Sequence, residues 1–160
     1  MASPEENTER LRRLFDGVWN GDDPSVAGGV VAADYLIHDR ELAEQLRGPE
    51  LCRALAEGTR EVFPDMSFTI VDTVSAGEKV ALRWTMTGTH EGSMMGEEPT
   101  GRPVELKAVE INRFADGKLA ETWAQSDMPG LMAQVGAIPS AGGEECSAGE
   151  ATPSERVVSE

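Results

Sequence analysis

Residues 103–126 read PVELKAVEINRFADGKLAETWAQS, and this stretch decides the fold class. Apolar and polar residues alternate on both sides of Asp116-Gly117, a dipeptide strongly associated with two-residue hairpin turns. The stretch therefore predicts a β-hairpin, with strands over residues 103–114 and 118–126.

The apolar positions of the first of these strands change phase along its length. Val104 and Leu106 are apolar at even positions, whereas Val109 and Ile111 are apolar at odd positions. A slip of this kind is what a β-bulge produces, and bulges bend sheets. We therefore expect a bulge between Leu106 and Val109, and a curved sheet.

The rest of the chain adds strands and helices to this hairpin. Period-two alternation predicts strands over residues 66–74 and 79–90. Apolar residues at helical spacing, with start and stop signals, predict the other elements: helices over 3–19, 26–33, 51–63 and 128–135, and a short strand over 35–39. Helices followed by an antiparallel meander indicate the α+β class, with helices covering one sheet.

The length and composition predict a single domain over residues 1–138, followed by a disordered acidic tail over 139–160. The net charge of −15 argues against nucleic acid or an anionic membrane surface as partners, since both need basic patches. Only three of the 14 basic residues are lysines, and this acidic composition is typical of proteins from salt-adapted organisms.

The sequence also indicates where the protein works. No apolar run is long enough to span a bilayer, and the first ten residues are polar and acidic, so we expect a cytoplasmic protein. The two cysteines, Cys52 and Cys146, predict neither a disulfide framework nor a metal site.

Two polar residues end strands whose apolar faces they continue. His90 continues the even face that carries Trp84 and Met86, and Asp127 continues the odd face that carries Trp123. If the meander is regular, the intervening strand brings Asp127 and His90 together at the mouth of an apolar pocket. A carboxylate and an imidazole in such a place form a general acid/base pair.

Each of these residues also has a purely structural interpretation. Asp127 precedes Met128-Pro129-Gly130, so it can be the N-cap of the last helix. His90 can hydrogen-bond only within its loop, and the tryptophans can be core residues. His38, at the end of its predicted strand, can lie in the pocket or on the surface.

Residues 83–137 resemble the SnoaL-like polyketide cyclases, often labelled ester cyclases, within the NTF2-like superfamily. The most specific motifs are Gly88-Thr89-His90, Pro99-Thr100-Gly101, Asp116-Gly117-Lys118, and Trp123 with Asp127 four residues on. The resemblance covers roughly residues 8–138. It implies an NTF2-like cone, in which N-terminal helices wrap a strongly curved sheet around a deep apolar cavity.

The resemblance also implies an activity. Characterised members close a ring by intramolecular aldol condensation, without a metal or organic cofactor. Their acid/base carboxylate matches Asp127. The histidine that lines their pocket matches His90, which we expect to donate a hydrogen bond to the enolate. The expected substrate is a small apolar carbonyl compound.

The expected pocket wall consists of aromatic, histidine and methionine side chains: Trp19, Tyr35, His38, Trp84, Met86, Met94, Met95 and Trp123. Because members commonly pair through the open face of the sheet, we also expect a homodimer or homotetramer. Two alternatives on the same fold stay open. One is a non-catalytic protein that binds a small ligand. The other is an epoxide-hydrolase-type enzyme, for which Arg113 and Asp127 could supply two members of an Asp–Arg–Asp set.

Overall fold

The computed structural model describes residues 2–21, 23–38 and 46–139, so the predicted tail, apart from Pro139, lies outside the described residues. The elements, in chain order, are α1 (Pro4–Leu14), a π-helical segment (Phe15–Trp19), α2 (Ser25–Val30), β1 (Val31–Ile37), α3 (Pro49–Val62), β2 (Ser67–Ala76), β3 (Lys79–Thr89), β4 (Pro103–Ala115), β5 (Lys118–Ser126) and α4 (Met128–Gln134). In this part of the chain, no helix has the length and apolar character that crossing a membrane requires. The predicted α+β class is confirmed.

The five strands form one sheet in the order β1-β5-β4-β3-β2. β1 runs parallel to β5, and the other neighbours are antiparallel. The predicted turn between β4 and β5 is confirmed: Asp116 and Gly117 both have positive φ, at 51° and 77°, as the tightest hairpin turns require. This hairpin forms the centre of the sheet.

The N-terminal helices follow the predicted signals, with one difference. Ser3 caps α1 by accepting a hydrogen bond from the Glu6 amide at 3.1 Å. The second helix was predicted over residues 26–33, but α2 ends at Val30, and Val31 already pairs with Leu119 of β5. Two glycines within α2 weaken its helical preference, and pairing with the sheet edge satisfies the backbone that follows.

The bulge predicted between Leu106 and Val109 is absent from the β3–β4 ladder. Pairing is continuous from Lys79 opposite Arg113 to Thr89 opposite Pro103. The register shift lies instead between β4 and β5, where Arg113 pairs with Glu121 and Phe114 pairs with Leu119, so the extra residue is Ala120 of β5.

The even-numbered residues of β4 therefore face inward along the whole strand. Val104, Ala108, Asn112 and Phe114 are all buried, whereas Val109 and Ile111 on the outer face are exposed. The apparent change of phase has a different cause. Two polar residues, Glu110 and Asn112, face inward, and two apolar residues, Val109 and Ile111, face outward.

Candidate active site

A cavity of about 360 Å³ lies between the concave face of the sheet and the helices. This volume is at the lower end of the range for small-molecule sites, roughly 300–1,000 Å³. Much of its wall is aromatic: the ring of Phe68 lies 6.2 Å from that of Phe15, 5.1 Å from Trp19 and 5.0 Å from Trp84. The wall favours an apolar ligand.

One part of the wall is polar and carries a carboxylate. Glu110 of β4 lines the cavity, together with Asn112, Thr122, Tyr35 and the thiol of Cys52. The indole Nε1 of Trp84 donates a hydrogen bond to Glu110 Oε2 at 2.9 Å, and Asn112 Nδ2 donates to Oε1 at 3.1 Å. Both carboxylate oxygens are therefore oriented by neutral donors from the same face of the sheet.

The hydroxyl and the thiol near this carboxylate stay protonated at neutral pH. Burial raises the pKa of Tyr35 well above its ordinary value of 10.0. The second cause is the repulsion between an ionised Tyr35 and an ionised Cys52. Burial, followed by the negative charge of Glu110, raises the pKa of Cys52 to about 12. Neither group is therefore a base or an ionised nucleophile at neutral pH.

Five partly exposed lining residues lie on α3, at the end of β5 and at the start of α4: Ala54, Thr59, Ala124, Ser126 and Met128. Trp19, Leu106 and Glu110 are partly exposed as well. We expect a ligand to enter between α3 and the end of β5, where most of these residues lie.

Five of the predicted pocket residues line the cavity: Trp19, Tyr35, Trp84, Met86 and Met94. Three others lie outside its wall, and their assignment is corrected. Met95 is 72% exposed. Trp123 pairs with Ile111 on the outer face and stacks on the ring of His38, with ring centroids 4.7 Å apart. From Glu121 to Gln125 the odd-numbered residues of β5 face outward, because Thr122, Ala124 and Ser126 line the cavity.

The outer face also holds Arg113, away from the cavity. Arg113 Nε donates to Glu121 Oε1 at 2.6 Å, and His38 Nε2 lies 2.8 Å from Glu121 Oε2. The hydrogen bond with His38, followed by that with Arg113, holds the pKa of Glu121 below its usual range. Because Arg113 pairs with Glu121 on this face, the arrangement gives no support to an Asp–Arg set formed with Asp127.

Asp127 lies at the rim of the cavity, between two residues that line it, Ser126 and Met128. Its side chain is exposed, and its Oδ1 accepts a hydrogen bond from the Gly130 amide at 2.9 Å. The capping interpretation is therefore confirmed. A catalytic role for Asp127 stays a prediction.

His90 is fully buried, behind the cavity wall. Its Nδ1 accepts a hydrogen bond from the Thr100 amide at 3.3 Å, so a neutral ring carries its proton on Nε2. Within the described ranges, Nε2 has no hydrogen-bond partner. The ring lies 6.3 Å from that of Phe63, a cavity residue.

The register separates His90 from Asp127. β5 ends at Ser126, opposite Ala108, whereas β3 ends at Thr89, opposite Pro103. The five residue steps from Pro103 to Ala108 span about 17 Å along the sheet, at roughly 3.3 Å per residue. The two strand ends therefore do not meet, which corrects the expectation of a shared mouth.

Sequence reasoning missed Glu110, because its inward position depends on how β4 pairs with β3. β3 and β4 pair so that Leu82 lies opposite Glu110, and directly paired residues share a face of the sheet. The even face of β3 was predicted to be the apolar inner one. The observed register carries that parity from β3 to β4 and places Glu110 inside.

The comparisons with known proteins agree with this geometry. The sequence profile of the SnoaL-like polyketide cyclase family matches residues 9–135. Aklanonic acid methyl ester cyclase AcmA of Streptomyces galilaeus is 26% identical over 132 residues, which cover 82% of this chain and 91% of that protein.

Solved structures show the same architecture. TsrD of Streptomyces laurentii superposes with a TM-score of 0.77 at 25% identity, covering 86% of this chain and all of that one. IdmH of Streptomyces antibioticus superposes with a TM-score of 0.70 at 31% identity, covering 81% of this chain and 98% of that one. The predicted cone is confirmed, and the chain belongs to the SnoaL-like polyketide cyclase family.

Proposed function

We propose that this chain is a cofactor-independent cyclase or isomerase that performs acid/base chemistry on a small apolar carbonyl compound, with Glu110 as the group that accepts and returns the proton. The observation that carries the proposal is a carboxylate on the inner wall of an apolar cavity, oriented by donors on both oxygens. Membership of a cyclase family supports the reaction class.

The reaction needs no other reactant. Glu110 takes a proton from the carbon next to a carbonyl group, and the electrons of that C–H bond form the enolate. The enolate carbon then attacks a second carbonyl carbon of the same molecule, and a C–C bond closes the ring. The oxygen of that second carbonyl takes the proton back from Glu110, which restores the carboxylate. In an isomerisation, the proton returns to a different carbon instead.

The cavity contributes in two further ways. Its apolar wall excludes water from the enolate, which strengthens the electrostatic interactions that the intermediate makes with the protein. Its shape holds a flexible chain folded so that the two reacting carbons are close, which lowers the entropic cost of ring closure.

Asp127 and His90 are the residues that the family resemblance implies for the proton transfer and for enolate stabilisation. Asp127 is exposed at the rim, whereas Glu110 lies within the wall. We therefore assign the proton transfer to Glu110, and Asp127 is the competing candidate for this role. His90 stays the proposed donor only if its ring reaches the cavity when a ligand is bound.

Proton abstraction can be measured without the natural substrate. 1-Tetralone is a compact apolar ketone, and proton NMR in D₂O follows deuterium entering its α-carbon. We expect the wild-type protein to accelerate this exchange and Glu110→Gln to lose about 10²- to 10⁴-fold of the acceleration. Glu105→Gln is the matched control, because Glu105 is an exposed carboxylate on the outer face of the same strand.

The same assay separates the competing interpretations. Loss of exchange in Asp127→Asn, with exchange retained in Glu110→Gln, would transfer the role to Asp127. If tetralone quenches the fluorescence of Trp19 and Trp84 but its α-protons exchange at the buffer rate, this would favour the alternative of a non-catalytic binding protein. Both tryptophans line the cavity, and the measurement is made in Trp123→Phe, because Trp123 is exposed on the outer face and would be quenched by free ketone.

A further inference from the structure

A buried chain of hydrogen bonds leads from β1 to the cavity carboxylate. The Tyr35 hydroxyl lies 2.8 Å from Thr122 Oγ1, which lies 2.7 Å from Asn112 Oδ1. Asn112 Nδ2 lies 3.1 Å from Glu110 Oε1. Tyr35, Asn112 and Thr122 are at most 3% exposed, so bulk water does not compete for these contacts.

The direction of each hydrogen bond follows from the chemistry of the groups. The amide oxygen of Asn112 only accepts, so the Thr122 hydroxyl donates to it. Thr122 has a single hydroxyl proton, and therefore Tyr35 donates to Thr122. This sequence of donors turns the Asn112 nitrogen toward Glu110, and the Val80 carbonyl, which accepts from the same nitrogen at 3.4 Å, favours the same orientation. The opposite amide orientation would place two oxygens against each other and leave the Thr122 proton without this acceptor.

We propose that Tyr35 and Thr122 are positioning residues for Glu110, which act through Asn112 by holding its amide nitrogen toward the carboxylate. A donor at this place favours the ionised carboxylate over the neutral acid. It also fixes the direction in which the carboxylate faces the cavity. The catalytic significance of this arrangement rests on the function proposed above, but the arrangement itself does not.

Tyr35 has no direct contact with the reacting atoms in this scheme. Its hydroxyl donates to Thr122 and also has a hydrogen bond with Cys52, and its raised pKa keeps the proton in place throughout the neutral range. Cys52, the other titratable neighbour, is a neutral thiol over the same range. Neither Tyr35 nor Cys52 therefore changes its charge near Glu110 within the neutral pH range.

Thr122→Val tests the chain of donors, because valine has nearly the shape of threonine but no hydroxyl group. Thr122→Ser is the control that keeps the hydroxyl. The readout is the pH titration of the Glu110 ¹³Cδ signal in protein labelled at glutamate, with Glu110→Gln providing the assignment. We expect the titration midpoint to rise by about half a pH unit or more in Thr122→Val, and to stay within about 0.2 unit of wild type in Thr122→Ser.

Tyr35→Phe provides a second, independent variant, with an expected rise in the same direction. If thermal unfolding shows that Thr122→Val is not folded, Tyr35→Phe alone tests the proposal. A folded variant that lacks either hydroxyl and still titrates within about 0.2 unit of wild type would overturn the proposal. A rise in Thr122→Ser as large as that in Thr122→Val would overturn it as well, because the hydroxyl would then not be the cause.

The NMR readout needs no substrate, so it separates this inference from the proposed function. A shifted midpoint in a protein that exchanges no tetralone protons would support the positioning chain and contradict Glu110 as a catalytic base. If exchange occurs, Thr122→Val should lower its kcat about 3- to 10-fold with little change in KM, since the wall that binds the ketone is retained. Its pH–rate profile should move with the NMR midpoint.

Discussion

Val104 and Val109 provide a matched test of the orientation of β4, on which the position of Glu110 depends. Both are valines on the same strand, but Val104 is 5% exposed and Val109 is 52% exposed. Val104→Ala removes two buried methyl groups, worth about 0.8 kcal/mol each, and the space left behind adds to this loss. We expect Val104→Ala to lower the free energy of unfolding by about 2–3 kcal/mol.

The corresponding change on the outer face should cost much less. About half of the Val109 side chain already contacts water, and its removal opens no internal space. We expect Val109→Ala to lower the free energy of unfolding by less than about 1 kcal/mol. Urea denaturation followed by circular dichroism measures both values, and the melting temperatures should differ by several degrees.

Equal losses in the two variants would refute the orientation of β4 and favour the phase change read from the sequence, because that phase change places both valines inward. The measurement should be repeated at several protein concentrations. A cost of Val109→Ala that appears only at high concentration would report on self-association rather than on the fold of the monomer.

Three further predictions concern the ionisation of Glu121, the exposed apolar face of the sheet and the buried thiol of Cys52. Glu121 has a lowered pKa, so its ion pair with Arg113 and its hydrogen bond with His38 should stabilise the fold above about pH 4.3. This effect should be lost as the pH falls through the folded-state pKa, and Glu121→Gln should therefore lower stability at pH 7 more than at pH 3, as measured by urea denaturation. The outer sheet face exposes Val74, Val109, Ile111 and Trp123, which supports the expected homodimer or homotetramer; Ile111→Asp should shift sedimentation toward the monomer, whereas an unchanged distribution would exclude this face. With Cys146 replaced by serine, Cys52 should react with a thiol reagent at pH 8 only after unfolding in urea, because the thiol is buried and its pKa is about 12; rapid reaction of the folded protein would contradict this.

Local sequence signals were sufficient for the elements and their order. Alternation predicted the four antiparallel strands, since a strand half-buried against helices must place alternate side chains in the core. Asp116-Gly117 predicted the central turn, because both turn residues need positive φ. Ser3 and Pro4 predicted the start of α1 through satisfaction of its first amides. Each of these signals acts within a few residues, so no tertiary information was required.

The inner and outer faces of β4 and β5 could not be assigned from hydrophobicity alone. Val109, Ile111 and Trp123 are apolar but face outward, and Glu110 and Asn112 are polar but face inward. Sequence interpretation usually assumes that apolar residues point to the core. This protein departs from that rule twice, because polar groups line part of its cavity and apolar groups are exposed on the outer face of its sheet. Only the pairing of β4 with β3 resolved this ambiguity.

Short-range backbone preferences and hydrophobic periodicity encode an α+β chain with an antiparallel meander, a capped first helix and an acid at the start of the last helix, and these features could be read from the sequence. The tertiary structure alone decided which acid faces the cavity. Strand register places Glu110 inside, leaves Asp127 as a cap on the rim, and separates Asp127 from His90. Register depends on contacts between residues distant in the chain, so it is set by the packing of the whole sheet against its helices.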